Sequence, residues 1–213
     1  FDKKQNQGEE GVDCGGPCPL SCEVRNLQPI KTEFLKIIFY PDNSISLLGE
    51  VINPNKDWGL NEVPATFLIY DITGRLQNKV TIDKISVLPK EVRYVVALNL
   101  QKPTNYKIGK ITLQVDYNEF KWLKIDSEKI DLSFTNTKID NKTLSGVIIN
   151  ENDKPISDVE MIIRFFDENG ETIGVTKSFI DYILPLSEKN VTLTLPTENF
   201  VSFQASFHYL KLK

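Results

Sequence analysis

The sequence predicts an all-β protein that contains two copies of one strand-built unit. From Pro29 onward, apolar or alternating runs of five to nine residues are separated by Asn, Asp, Gly and Pro, which is the pattern of short strands joined by turns. No stretch keeps a helical period. The second half also repeats landmarks of the first half at a nearly constant spacing, as a duplicated unit does.

The clearest strands are predicted at residues 34–40, 45–51, 92–98 and 108–115. Near the end of the chain, alternate residues divide between two faces of one strand. The apolar face holds Val201, Phe203, Ala205, Phe207 and Tyr209, and the polar face holds Ser202, Gln204, Ser206 and His208. His208 is therefore predicted to point outward.

Four landmarks carry the repeat. Residues 48–53 return at 145–150, residues 67–74 at 163–170, Leu88-Pro89 at Leu184-Pro185, and Pro103-Thr104 at Pro196-Thr197. The offset is 97 or 96 residues, and 93 at the last pair. A period of about 100 residues with roughly seven short strands is the size of an immunoglobulin-like sandwich. We therefore predict a small Cys-rich module at residues 1–28 and two tandem immunoglobulin-like β-sandwich domains at 29–126 and 127–213.

The turn landmarks have a mechanical explanation. Asp71 and Asp167 are each followed three residues later by Gly, and such Asp residues accept turn hydrogen bonds while Gly tolerates a positive φ. We interpret both as turn residues and not as ligands. Leu88-Pro89 and Leu184-Pro185 are expected to end a strand, because proline cannot donate to a ladder, and to send the chain to the opposite sheet.

Composition excludes several functional classes. The 213 residues are 40% hydrophobic and 25% charged with a net charge of −4, and Lys and Arg form no cluster, so nucleic-acid binding is not expected. No apolar run approaches the roughly 20 residues that cross a bilayer, and no signal-peptide core follows Phe1. We expect a trimmed extracellular part of a longer protein.

All three cysteines, Cys14, Cys18 and Cys22, lie near the start of the chain. The intervening Gly15, Gly16, Pro17 and Pro19 prevent a stable helix, so something covalent or metallic must hold this loop together. Two interpretations remain open: a disulfide knot in an exported protein, or a metal site that lacks its fourth ligand. The odd number leaves one thiol unpaired.

Oxygen-bearing side chains surround these cysteines. Asp2, Asn6, Glu9 and Asp13 are interspersed with glycines, a pattern that could wrap a hard cation such as calcium. Their spacing does not match the EF-hand loop. The alternative is a solvated acidic loop.

The opening segment, from Asp2 through Gly8, Gly11-Val12-Asp13-Cys14-Gly15-Gly16 and Cys18, resembles a cysteine module of bacterial and archaeal surface proteins. In that module a cysteine precedes the position of Phe1, so four cysteines would form two bridges. This chain departs from the module by carrying Glu10 where threonine is usual and by three residues between Cys18 and Cys22.

The strand at residues 67–71, Phe-Leu-Ile-Tyr-Asp, resembles the FxLYD group of bacterial immunoglobulin-like domains, with Ile69 in place of Leu. The second copy, at residues 163–167, keeps only an aromatic residue followed by Asp. The group has no assigned activity. The resemblance implies export, a membrane anchor upstream of Phe1, and two β-sandwich domains.

The connection between the units, through residues 126–128, is short and contains no Gly or Pro. It cannot act as a flexible tether, and we expect a semi-rigid rod. Only 17 residues follow Pro196, enough for one strand. The resulting open sheet edge could accept a strand from another chain, be naturally open, or reflect a truncated sequence.

Catalytic motifs are scarce. The one histidine, His208, is a poor candidate for a triad base, and no Gly-rich phosphate loop, HExxH pair or CxxC pair occurs. We predict that the protein is not an enzyme. Trp58, between two strands, is either an exposed aromatic platform for a ligand or a lid folded over the core. Trp122 is interpreted as a core residue.

The sequence thus favours a non-enzymatic, extracellular protein of the cell surface, a stalk or adhesive rod of two immunoglobulin-like domains. One alternative is a module that binds glycan or protein through end loops around Trp58 and residues 150–155. Another is a subunit of a surface filament, which associates with copies of itself. No cofactor is expected beyond the candidate calcium ion.

Overall fold

The computed structural model describes residues 2–125 and 130–212. Within them the chain is all-β, with antiparallel sheets and two short 3₁₀ helices, η1 (Cys22–Asn26) and η2 (Glu119–Lys121). The predicted fold of tandem immunoglobulin-like sandwiches is confirmed. The proposed domain boundary between residues 126 and 127 lies outside the described residues. In the described part of the chain no helix is long and apolar enough to span a membrane.

The first unit is a two-sheet sandwich. Its strands are β1 (Lys31–Phe39), β2 (Ser44–Ile52), β3 (Trp58–Asp71), β4 (Leu76–Val87), β5 (Val92–Gln101), β6 (Ile108–Val115) and β7 (Trp122–Lys124). One sheet has the order β1-β2-β5, and the other has β4-β3-β6 with β7 paired to the start of β3.

The second unit repeats this order. Its strands are β8 (Leu132–Asp140), β9 (Thr143–Asn150), β10 (Ile156–Phe166), β11 (Thr172–Ile183), β12 (Glu188–Thr194) and β13 (Ser202–Tyr209). Its sheets are β8-β9-β12 and β11-β10-β13, so β8 to β13 correspond to β1 to β6. In both units, the chain crosses to the opposite sheet at the predicted Leu-Pro pair, directly after β4 and after β11.

Each unit has its own core between its two sheets. Leu47 and Val51 of β2 face Phe67 and Ile69 of β3 in the first unit. The equivalent core of the second unit contains Ile148 of β9 with Ile163 and Phe165 of β10, all fully buried. Burial of each such side chain contributes about 1.5–3 kcal/mol, so the cores are the main source of stability.

The predicted turns have the expected hydrogen bonds. Asp71 Oδ1 accepts the N–H groups of Thr73 and Arg75, at 2.8 and 3.0 Å. Asp167 Oδ1 does the same for the equivalent pair in the second unit. The Thr73 hydroxyl bond and the backbone bonds lower the pKa of Asp71 to about 2.

The backbone repeats in its irregularities as well. A β-bulge interrupts β1 and β8, with Phe34 and Asn136 at positive φ in the shifted segments. Glu62 in β3 and Asp158 in β10 also have positive φ, 96 residues apart. Since these conformations are costly for non-glycine residues, their recurrence at equivalent places indicates that the duplicated unit keeps its local geometry.

The two units pack face to face, which differs from the expected semi-rigid rod. The outward face of the β1-β2-β5 sheet covers the outward face of the β11-β10-β13 sheet, so four sheets lie in layers. Ile38, Leu48 and Val96 of the first unit contact Ile162 and Val175 of the second. Both faces are apolar at these positions, and burying them together removes that surface from water.

Candidate functional site

The junction between the units contains a buried ion pair. Arg93 of β5 is fully buried, and its guanidinium donates to Glu160 Oε2 of β10 at 3.1 Å. The same side chain donates to the carbonyl oxygens of Ser86 and Tyr209, at 3.0 and 2.6 Å. Lys177 Nζ lies 2.8 Å from Glu160 Oε1. Glu160 therefore shares its charge between cations of both units.

The environment of Arg93 is energetically demanding. Burial lowers the pKa of Arg93, while the negative charges of Glu160 and Glu91 oppose that effect. An arginine in protein keeps its charge, so the pair is an ion pair whose desolvation has to be offset by good geometry. Removing one partner alone would leave an uncompensated buried charge.

A second polar contact crosses the junction at His208 of β13. The residue is 3% exposed, and its Nδ1 lies 2.6 Å from Glu91 Oε1. Its Nε2 accepts the N–H of Tyr94 at 3.3 Å. An accepting Nε2 places the proton of the neutral ring on Nδ1, which donates to Glu91. Glu91 is fixed in turn, because its Oε2 accepts the N–H of Leu88 at 2.6 Å.

The two groups shift each other's titration. Burial lowers the pKa of His208 below its usual 6.5, although Glu91 opposes the shift. For Glu91, burial acts to raise the pKa, but the His208 hydrogen bond and the charge of Arg93 outweigh it, so the pKa lies below its usual 4.5. Near neutral pH the pair is thus a neutral histidine beside an ionised carboxylate.

The sequence prediction for His208 was half right. Phe203, Ala205, Phe207 and Tyr209 do pack on the core of the second unit, so His208 points away from that core. It is nevertheless buried, because the first unit covers the outward face. Val201 precedes β13 and is 67% exposed, so its assignment to the core face was wrong.

Ser206, His208 and Glu91 lie in the order of a Ser-His-acid triad, with Ser206 Oγ 3.2 Å from His208 Nε2. The hydrogen bonds oppose that chemistry. The Ser206 hydroxyl donates to the carbonyl of Ile162 at 3.2 Å, and Nε2 already accepts the Tyr94 N–H. The buried ring therefore joins the two units, and both hydrogen-bonding positions of its triad-like arrangement are already occupied within the protein.

The end of the chain closes the junction. After β13, Leu210 donates its N–H to Asp158 O, and its own carbonyl lies 2.8 Å from the Ser86 hydroxyl of the first unit. Leu212 donates to Asn61 Oδ1 and packs with Leu88. The edge of β13, which the sequence left open for strand exchange, is thus in contact with the first unit near its C-terminal end.

Sequence reasoning missed Arg93 and Glu160. A usable signal lay in the repeat, since equivalent outward positions differ in polarity. Leu48 pairs with Val96 across the sheet in the first unit, whereas Ser145 pairs with Thr192 at the same place in the second. Apolar outward residues in one copy and hydroxyls in the other indicate that one of the two faces is covered.

The cysteine segment is closed by one disulfide, between Cys14 and Cys22, and Cys18 is a free, half-buried thiol. Gly11 fits against the bridge, because a Cβ there would lie 2.9 Å from Cys14 Sγ. Leu20 and Val24 are buried in the core of the first unit. The segment is therefore part of that unit's packing.

The four candidate calcium ligands are hydrogen-bonded within the loop. Asp13 accepts the backbone N–H groups of Asp2 and Lys3, and Glu9 Oε2 accepts those of Asn6 and Asp13. The Asn6 amide donates to Asp2 Oδ2 at 2.7 Å. In residues 2–125 and 130–212 no group of three His, Cys, Asp or Glu has a geometry suited to a metal ion. Calcium binding stays a prediction.

Trp58 lies at the start of β3 and packs, half-buried, against the core of the first unit. Lys124 of β7 sits over its ring, 5.9 Å from the centroid, and forms a salt bridge with Glu23 of η1. This position agrees with the lid interpretation. Trp122 is buried in the same core.

The other predicted ligand loop, residues 150–155, is braced from inside. The amide of Asn150 is fully buried and donates to the carbonyls of Lys154 and Leu184, while its Oδ1 accepts from Asn152. Asn53 and Asn55 make the same set of bonds in the first unit. The repeated asparagines are structural, so their side chains are not available to a ligand.

No family model and no curated protein matches this chain. A solved structure of red sea bream transglutaminase is similar to it with a TM-score of 0.28 and 11% sequence identity. The similarity covers 85% of this chain and 28% of the transglutaminase chain. This chain therefore spans under a third of that protein.

Proposed function

We propose that this protein is a non-enzymatic spacer or stalk of the cell surface, in which two immunoglobulin-like sandwiches are locked into one rigid body. The observation that carries the proposal is the buried Arg93–Glu160 pair, whose two partners belong to different units. A stalk has to transmit position and force, and a junction without free rotation does so.

Several contacts reinforce this coupling. Arg164 of β10 stacks 4.0 Å over the ring of Tyr94 in β5. The hydroxyl of Tyr40 accepts the N–H of Val175 at 3.3 Å. Separating the units would expose the apolar contact, the ion pair and this cation–π contact together, so partial opening is unfavourable.

The extracellular location is supported by the Cys14–Cys22 disulfide, since disulfides persist in oxidising compartments. The resemblance of the opening segment to surface-protein modules points the same way. On intact source cells, a membrane-impermeant amine reagent should label the full-length protein; labelling only after lysis would refute surface display.

The rigid coupling is tested with Glu160→Gln. We expect a loss of about 3 kcal/mol in the free energy of unfolding, because the buried Arg93 loses its counter-charge. Small-angle X-ray scattering should also show a larger radius of gyration as the units separate. The matched control is Glu171→Gln, which removes an exposed inter-unit pair with Lys36 and should cost well under 1 kcal/mol.

Equal effects of the two variants on stability and on the radius of gyration would contradict the proposal. So would a wild-type scattering curve that requires several relative orientations of the units.

A further inference from the structure

A cleft lies at the end of the first unit, beside the loop that joins β5 to β6. Its volume is about 550 Å³, and it is lined by Phe39, Ile108 and residues 102–107. A second concavity of about 410 Å³ shares residues 102–106 and reaches Ile45 and Leu100. Both volumes are in the range of sites for small ligands.

The cleft is held in place by backbone contacts. Lys102 donates its N–H to Asn43 O, and Lys107 O accepts the N–H of Ile72. Gly109 follows the loop, and a Cβ there would lie 2.4 Å from Asp71 O, so the loop fits closely against the neighbouring turn. A preformed site loses little entropy when a ligand binds.

The lining combines aromatic and cationic groups. Phe39 is 56% exposed, although a side chain of this size is usually buried, and Lys102 Nζ lies 5.5 Å from the centroid of its ring. Among the described lining residues, Lys102 and Lys107 are cationic and none is acidic, in a chain of net charge −4. Asp42, on the adjacent turn, is bound to the N–H and hydroxyl of Ser44.

We infer that this cleft binds an acidic oligosaccharide, with the hydrophobic face of a sugar ring on Phe39 and a carboxylate against Lys102. Aromatic rings offer the flat apolar surface that the C–H face of a pyranose needs, and Thr104 and Asn105 supply partners for hydroxyl groups. An acidic peptide is less favoured, because the N–H of Lys102 and the carbonyl of Lys107 are already bonded within the protein and are not free for strand pairing.

The cleft lies at the end of the first unit that is far from the cysteine segment, so that segment does not cover it. The cysteine segment contacts the start of β3 through Asn55 and Lys124, whereas the cleft adjoins the far end of β3 at Asp71. The fourteen residues of β3 separate its two ends by roughly 40 Å. The inference does not depend on rigid coupling, since every lining residue belongs to the first unit.

The test is isothermal titration of the full chain with galacturonic acid trisaccharide, alongside the neutral galactose trisaccharide of the same linkage. We expect binding in the micromolar to millimolar range for the acidic sugar, at least about tenfold weaker binding for the neutral one, and weakening by added salt. Lys102→Gln should weaken binding about fivefold and Phe39→Ala about tenfold.

The controls are two exposed residues of the second unit: Lys138→Gln removes an exposed ammonium, and Phe179→Ala replaces a residue that is 57% exposed. Neither should change the affinity. If Phe39→Ala fails to fold, the comparison of Lys102→Gln with Lys138→Gln still tests the inference. No binding, equal binding of both sugars, or equally tight binding of a glutamate-rich peptide of the same charge would overturn the inference.

Discussion

His208 is the residue whose titration most directly reports on the junction. The groups that face it are Glu91, Arg93 and Tyr94 of the first unit and Glu160 and Ser206 of the second. Protonation would turn Nε2 into a donor that faces the Tyr94 N–H, so both would compete for the same space. The neutral ring is therefore the form that fits.

We predict that stability falls as the pH drops below 6.5. The folded-state pKa of His208 lies below its usual 6.5, so the unfolded chain binds this proton first, and stability is fully present above pH 6.5 and declines below it. The chain has one histidine, so a slope just below pH 6.5 in urea unfolding reports on His208. In His208→Gln this slope should vanish; an unchanged slope would contradict the assignment.

A second loss is expected at lower pH. The pKa of Glu91 lies below its usual 4.5, so its contribution is present above pH 4.5 and is lost as the pH falls through the folded-state value. The loss due to Glu91 should thus begin at a lower pH than the loss due to His208.

At the residue scale, the sequence allowed the turn role of Asp71 and Asp167 to be predicted, because local hydrogen bonding determines it. It did not allow the partners of His208 to be predicted. Glu91 lies 117 residues away, and nothing in a strand pattern says which outward face is covered by another unit.

At the scale of elements, the loop after β9 depends on Asn150. Its buried amide donates to one carbonyl in each of two connections, that of Lys154 between β9 and β10 and that of Leu184 between β11 and β12. We predict that Asn150→Ala lowers the free energy of unfolding by about 2 kcal/mol, because buried carbonyls lose their donor. The control is Asn190→Ala on β12, an exposed position, which should change stability by less than about 0.5 kcal/mol.

Chemical denaturation of both variants measures this difference in stability. Equal midpoints for Asn150→Ala and Asn190→Ala would show that the hydrogen bonds of the Asn150 amide contribute nothing to stability. The loop would then be available for the ligand role that the sequence suggested.

Strand positions were predictable and bulges were not. The predicted strand at residues 108–115 coincides with β6, in which Ile111, Leu113 and Val115 alternate with polar residues. The bulge near Phe34 could not be read, because a bulge requires one extra residue on one strand of a pair and that depends on the partner's register. The hydrogen bonds of the Asn150 amide could be inferred only in part, from the recurrence of Asn at the same repeat position.

At the scale of the whole molecule, the duplicated faces have diverged. The faces buried at the junction carry Leu48, Val96 and Ile162, whereas the equivalent outer positions carry Ser145, Thr192 and Thr66. If both units carried the same apolar outward faces, each outer face could bind a further copy in the same way, and the copies would form an open chain. Hydroxyls on the outer faces lack the apolar surface that holds the junction together, so the same kind of contact would be weaker there.

This divergence gives a prediction about cooperativity. In calorimetry the wild-type chain should unfold in one transition, because the junction couples the two cores. Val96→Asp places a carboxylate in the apolar contact beside Ile162, where it has a large desolvation cost, and should split the transition into two. The matched control is Thr192→Asp, at the equivalent exposed position of β12, which should keep one transition. Two transitions in the wild type, or one in Val96→Asp at an unchanged temperature, would mean that the units fold independently and that their contact does not couple them.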